Sequence, residues 1–251
     1  MFINLYYFKN KKIWGFIIIN FFIGIYIASI RLKYSESSYF DDLYFYAREG
    51  LIFNFESEGF DVQTFMSILS TVISIPIVCG QFSKHYTTKQ CYIATRHKNY
   101  SLFYINEITN IAALSFMLSL SYSIGICLFC AVVSNFKLQN LNFFIMYFVS
   151  IINSTLLLFA FCLLAIPFCV QNEKAAVLSD IILFMTCTIV SYYLPIKYKY
   201  FDIIMIYFVN TLFQNNKYIS YNSVICYILT FSIIILAVLF GNRSLKKKDT
   251  I

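Results

Sequence analysis

Long apolar runs separated by short polar intervals set the frame of this chain. A helix needs about 20 mostly apolar residues to cross a bilayer. Six stretches reach or approach that length: Ile13–Ile30, Val62–Gly80, Ile108–Val133, Phe143–Pro167, Ala175–Leu194 and Ser223–Gly241. The second is the least apolar, because Gln63 and Thr64 stand at one end of it. The third and fourth exceed the minimum, which predicts tilted helices. Pro76 and Pro167 fall near one end of their runs, and Pro195 closes the fifth. The expected fold class is an all-α integral membrane protein of six transmembrane helices, one transmembrane domain over residues 1–251. Lys9, Lys11 and Lys12 precede the first run as in a signal peptide. That run is longer than a signal h-region of about 7–15 residues, so it reads as a retained helix.

Three intervals have a pattern of their own. In Arg31–Asp61, Ser38 is followed three residues later by Asp41, a capping-box-like helix start, and Gly50 is a plausible stop. Phe40, Leu43, Tyr44, Ala47 and Leu51 recur between them at helical spacing, which predicts a short amphipathic helix lying on the membrane interface. Tyr200–Phe213 is apolar but too short to span, and Asp202 interrupts it. Its length suits a re-entrant or interfacial segment packed over the helix bundle. Gly80–Glu107 is polar and basic, and it holds both histidines, His85 and His97. Phe82, Tyr86 and Ile93 form a helical stripe there, with Lys89 intruding. A short helix in this interval would present aromatic and basic groups to a soluble partner or to anionic lipid.

Composition and charge narrow the class. The chain is 60% hydrophobic and 12% charged, whereas soluble domains carry about 25% charged residues. Its apolar runs leave no room for a soluble domain. With the amino terminus inside, the cytoplasmic segments hold twelve Lys and Arg and the external ones seven. The positive-inside rule therefore places both termini in the cytoplasm. The formal charge of +7 reads as a topology signal spread over several membrane-bound segments. It gives no support to nucleic-acid binding. The eight cysteines fall mostly in or beside apolar runs, which argues against a disulfide framework. Cys127 and Cys130 have metal-like spacing but no second pair, so they read as apolar packing.

Candidate chemistry is sparse. No G-x-x-x-x-G-K-[ST], H-E-x-x-H or G-x-S-x-G pattern occurs. This points to a protein that is not an enzyme, with no catalytic residues, no metal site and no cofactor of its own. Asp180 lies about 9 Å into the fifth helix if that helix starts near Lys174. There it faces either a polar lumen or subunit interface, or else the headgroups. Asn20, Asn110 and Asn153 suit hydrogen bonds between helices, and Asn153 is also a candidate for the cargo path or a subunit interface. Glu107 opens the third helix, where an acid is favoured. Asp41, Asp42, Glu49, Glu56 and Glu58 in the first external interval form either a solvated loop or an acidic vestibule for a cationic cargo.

The layout as a whole resembles the permease subunit of a bacterial type-2 ABC exporter. The run Tyr92-Ile93-Ala94-Thr95-Arg96-His97-Lys98-Asn99-Tyr100 is similar to one in small permeases of bacteriocin, lantibiotic or peptide export and immunity. The resemblance implies a coupling region over Gln81–Tyr100, with Phe82, Tyr86, Tyr92, Arg96, His97, Lys98 and Tyr100 meeting a separate ATPase. It also implies ATP and Mg on that ATPase partner, a second permease subunit as homodimer or related heterodimer, and a peptide or amphipathic cargo. The location implied is the bacterial cytoplasmic membrane. Two other classes stay open: a stand-alone membrane immunity protein against a bacteriocin, and a substrate-binding membrane subunit of an importer.

Overall fold

The computed structural model describes residues 6–34, 38–49, 62–96, 100–139, 142–169, 172–193, 204 and 221–248. These form helices with no strand among the described residues: α1 (Lys11–Arg31), α2 (Phe40–Glu49), α3 (Val62–Arg96), α4 (Tyr100–Ser134), α5 (Phe143–Cys169), α6 (Glu173–Tyr193) and α7 (Tyr221–Lys248). Short 3₁₀ turns at Tyr6–Lys9 and Leu32–Tyr34 flank α1. Five helices, α1, α4, α5, α6 and α7, are long and apolar enough to cross a membrane. Their outward sides carry large apolar side chains such as Phe22, Phe148, Ile182 and Phe240, all more than half exposed. In water that surface would be costly; in lipid it is the solvent-facing side. The chain is a multi-pass helical membrane protein.

The five apolar helices occupy five of the six expected runs with ends shifted by a few residues. The larger differences are in α3 and α4. α3 does not stop at Gly80 but continues through the polar stretch to Arg96, and α4 starts at Tyr100 rather than near Ile108. Each has 35 residues, a length of about 52 Å against a hydrocarbon core of about 30 Å. The polar stretch Gln81–Arg96 therefore does not mark a helix end. Pro76 lies inside α3 and Pro167 inside α5, so each removes one backbone donor without terminating its helix.

α1 and α4 run parallel in tight contact. Asn20 Nδ2 donates to the Leu118 carbonyl over 2.7 Å. One turn further, a Cβ on Gly24 would overlap the Tyr122 carbonyl, and one on Gly125 would overlap the Phe21 carbonyl. Only glycine lets the two backbones approach so closely, the usual device of helix pairs in lipid. The bundle therefore has two defined ends, fixed by α1: the near end, where α1 starts, and the far end, where it finishes.

At the far end α2 packs against the bundle. Its predicted stripe of Phe40, Leu43, Tyr44 and Ala47 is buried, joined by Phe45. Leu51 and Gly50 lie outside the described residues. α4 ends in two left-handed residues, Asn135 and Phe136. The turn directs the Lys137 carbonyl at the first N–H of α2, on Phe40, over 2.8 Å. The expected re-entrant segment Tyr200–Phe213 lies outside the described residues except for Ile204, which is buried in the main core.

Candidate functional site

Where α3 and α4 emerge at the near end, three elements meet around Glu107. The 3₁₀ turn before α1 brings Tyr7, whose hydroxyl donates to Glu107 Oε2 over 2.7 Å. α3 brings His85, whose Nδ1 lies 2.7 Å from Glu107 Oε1. Both carboxylate oxygens are thus engaged by groups from different elements, and all three side chains are buried. An isolated carboxylate in such a place would carry a large desolvation cost; hydrogen bonding and an ion pair when the imidazole is protonated offset it. Burial, and the Glu107 carboxylate beside it, push the Tyr7 hydroxyl well above the usual tyrosine range.

Aromatic packing encloses the carboxylate. The Tyr7 ring meets the His85 ring edge-on at 5.8 Å, and Phe103 stacks on the other side of His85 at 6.2 Å. Phe82 and Tyr86 stack at 5.9 Å and lie in the same core. A second tie runs beside the first: Asn10 caps α1 by accepting from the Lys12 N–H, and its Nδ2 donates to Gln81 Oε1 over 3.2 Å. The amino-terminal turn is therefore fastened to α3 and α4 by side-chain contacts alone.

This geometry revises several expectations. Phe82 and Tyr86 are not a stripe offered to a partner; they are buried against their own subunit, at 0% and 5% exposure. Glu107 does not sit at a helix start, because α4 begins seven residues earlier. Tyr92 and Arg96 belong to the α3 backbone, and Tyr100 opens α4, but their side chains lie outside the described residues, as do His97 and Lys98 altogether. The segment joining α3 to α4 is three residues long.

The remaining candidates fall elsewhere. Asp180 is buried on the inner side of α6, while Lys174 is exposed. It lies close to Cys79, Cys162 and Cys169 of α3 and α5 inside the subunit. Asn153 is fully buried and accepts from the Tyr227 hydroxyl over 2.6 Å, joining α5 to α7. Asn110 donates within its own helix, to Asn106. At the far end, Asp41 is buried and accepts the Gln139 N–H over 3.1 Å, so it fastens α2 to the end of α4. Asp42 is exposed; the Glu49 side chain, Glu56 and Glu58 lie outside the described residues.

Two buried arginines complete the far end. Arg31 Nη1 donates to the Ala47 carbonyl over 2.9 Å. Arg48 Nη2 donates to the Ser150 carbonyl over 2.6 Å and to the Ser154 hydroxyl, and Nη1 reaches the Tyr44 hydroxyl at 3.4 Å. A signal for Arg48 existed: it stands four residues after Tyr44, on the buried stripe of α2. Comparison of the chain with family models, curated proteins and solved structures finds no match. The functional reading therefore rests on the arrangement itself. Among the described residues no group of His, Cys, Asp and Glu has the arrangement of a metal site.

Proposed function

We propose that this chain is the membrane-spanning subunit of an ABC exporter of the type-2 class, moving a peptide or amphipathic cargo with the energy of a separate ATPase. The observation that carries the reading is the extension of α3 and α4 beyond the length a bilayer requires, at the end of the bundle that also holds Lys9, Lys11 and Lys12. In this reading α3 is a sixth crossing, both termini are cytoplasmic, and the α3–α4 hairpin reaches out of the membrane into the cytosol. Its tip contains the basic residues Arg96, His97 and Lys98 and the aromatic Tyr100, which would meet the ATPase, where ATP and Mg bind. Two such subunits, identical or related, enclose the cargo path.

The Glu107 cluster gives the hairpin something to move. Closure of the ATPases displaces the tip, and the cluster ties the base of both helices to the start of α1. α1, α3 and α4 then shift as a group, provided the ATPase contacts differ between its two states. Phe82 and Tyr86 transmit the displacement through packing; they make no contact with the partner.

Co-expression with a candidate ABC ATPase from a neighbouring reading frame tests the reading. The expected result is that the two purify together and drive ATP-dependent uptake of an amphipathic peptide into inside-out vesicles. Combined Arg96→Glu and Lys98→Glu should abolish that uptake while the protein still folds. A chain that purifies without an ATPase, together with full transport by the charge-reversed variant, contradicts it. Protection of cells from a bacteriocin without any ATPase would favour the stand-alone immunity role instead.

A further inference from the structure

The first turns of α1 have two different sides. Ile13 and Ile17 pack into the core, whereas Lys11, Lys12, Trp14, Gly15 and Ile18 are exposed, as is Lys9 just before the helix. The first turn of α1 contains no acidic residue, and no described carboxylate lies within salt-bridge distance of these lysines. Among the described residues their charge is thus uncompensated. Trp14 is the only tryptophan of the chain. It is 47% exposed, yet held in place: its Nε1–H donates to the Phe8 carbonyl over 3.1 Å, and its ring lies 6.1 Å from that of Phe8. Beside it, a Cβ on Gly15 would meet nothing within 4 Å, so the surface is notched there. The exposed stripe then continues as purely apolar side chains, with Ile18 at 55%.

Cationic heads, an indole at headgroup depth, a notch and an apolar track follow one another in the order of the parts of a phospholipid. We propose that this face binds an anionic phospholipid of the leaflet on the amino-terminal side. Its phosphate sits among Lys9, Lys11 and Lys12, its glycerol region lies against Trp14, and an acyl chain runs over Gly15 and Ile18. The apolar track continuing directly from the lysines selects a lipid over a free phosphate ion. The same backbone segment carries Tyr7 into the Glu107 cluster, and Asn10 ties it to α3. Lipid charge therefore bears on how firmly the amino-terminal turn is held. The inference requires only that α1 lies in the membrane, and it stands independently of the transporter reading.

Trp14 is its own reporter. The full chain is placed in nanodiscs containing phospholipids with brominated acyl chains, either anionic or zwitterionic, at equal mole fraction. The expected result is stronger quenching of Trp14 by the anionic brominated lipid, with a local enrichment of roughly fivefold for each lysine fully engaged. Combined Lys9→Gln, Lys11→Gln and Lys12→Gln should equalise the two lipids without changing helical content. Should that variant not fold, the three single Lys→Gln variants should each reduce the preference. Inorganic phosphate should leave the quenching unchanged. Equal quenching of the wild type by both lipids, a preference that survives all the lysine substitutions, or competition by phosphate would each overturn the proposal.

Discussion

The two ends of the bundle are closed by opposite chemistry. At the near end a buried carboxylate, Glu107, gathers Tyr7 and His85 from two other elements, through side chains only. At the far end a buried guanidinium, that of Arg48, reaches across to α5 and grips the Ser150 carbonyl and the Ser154 hydroxyl. A guanidinium never loses its charge and offers a rigid fork of donors. Its partner carbonyl belongs to the α5 backbone and cannot rotate away. The contacts of Glu107, by contrast, come from side chains that swing about single bonds. One end is built to stay shut, while the other can be released without unfolding a helix.

The harshest test strikes both ends at once. α1 runs between them, and its crossing with α4 depends on Gly24 and Gly125. Gly125→Leu forces a side chain into the Phe21 carbonyl and should leave no folded protein, seen as loss of a monodisperse peak in detergent. Gly125→Ala is milder and should cost about 1–3 kcal/mol, the usual range for overpacking. A fully stable Gly125→Leu variant would show that the two ends do not depend on α1.

Arg48→Met comes next. It removes charged hydrogen bonds that each contribute roughly 1.5–3 kcal/mol. It should expose α2 to protease and lower the thermal midpoint while leaving the near end intact. Glu107→Ala strands Tyr7 and His85, at about 1–3 kcal/mol for a buried group left without a partner. Its effect should be confined to faster hydrogen exchange at the start of α1 and the bases of α3 and α4. If either variant loosens both ends equally, the comparison fails.

Tyr7→Phe should have the smallest effect, about 1 kcal/mol for one hydrogen bond, read as faster cleavage before α1. The pH response carries a sign. The folded state raises the Tyr7 pKa, so it favours the neutral hydroxyl. The hold on the amino-terminal turn is fully present below the ordinary tyrosine value of about 10 and is lost as pH rises through the higher folded value. Cleavage before α1 should accelerate at alkaline pH in the wild type, and Tyr7→Phe should remove that component.

Much of the fold was legible in the sequence because lipid imposes a length on apolar runs. Each predicted run falls within one of the long helices, save Leu194, which lies outside the described residues, and the spacing of Phe40, Leu43, Tyr44 and Ala47 marked the buried face of α2. Less was legible where polarity changes its meaning. Gln81–Arg96 is polar, so it read as an interval with its own short helix, whereas α3 continues through it. Phe82 and Tyr86 have a core's spacing, and the core they serve is that of their own subunit. The partners of Asp41 and Arg48 were not legible because Gln139, Ser150 and Ser154 lie about a hundred residues away; the position of Arg48 on the stripe of α2 marks its burial but not what it binds. Tyr7 is the extreme case: its partner Glu107 is 100 residues distant, and nothing around Tyr7 distinguishes it from the chain's other tyrosines.

Hydrogen exchange on the chain reconstituted with a candidate ABC ATPase, compared with and without a non-hydrolysable ATP analogue, tests the proposed exporter role most directly. The proposal predicts that the nucleotide changes exchange at the near ends of α3 and α4 and at the start of α1, and leaves α2 and the adjoining turn of α5 unchanged. A change centred on α2, with the ends of α3 and α4 unaffected, would contradict it.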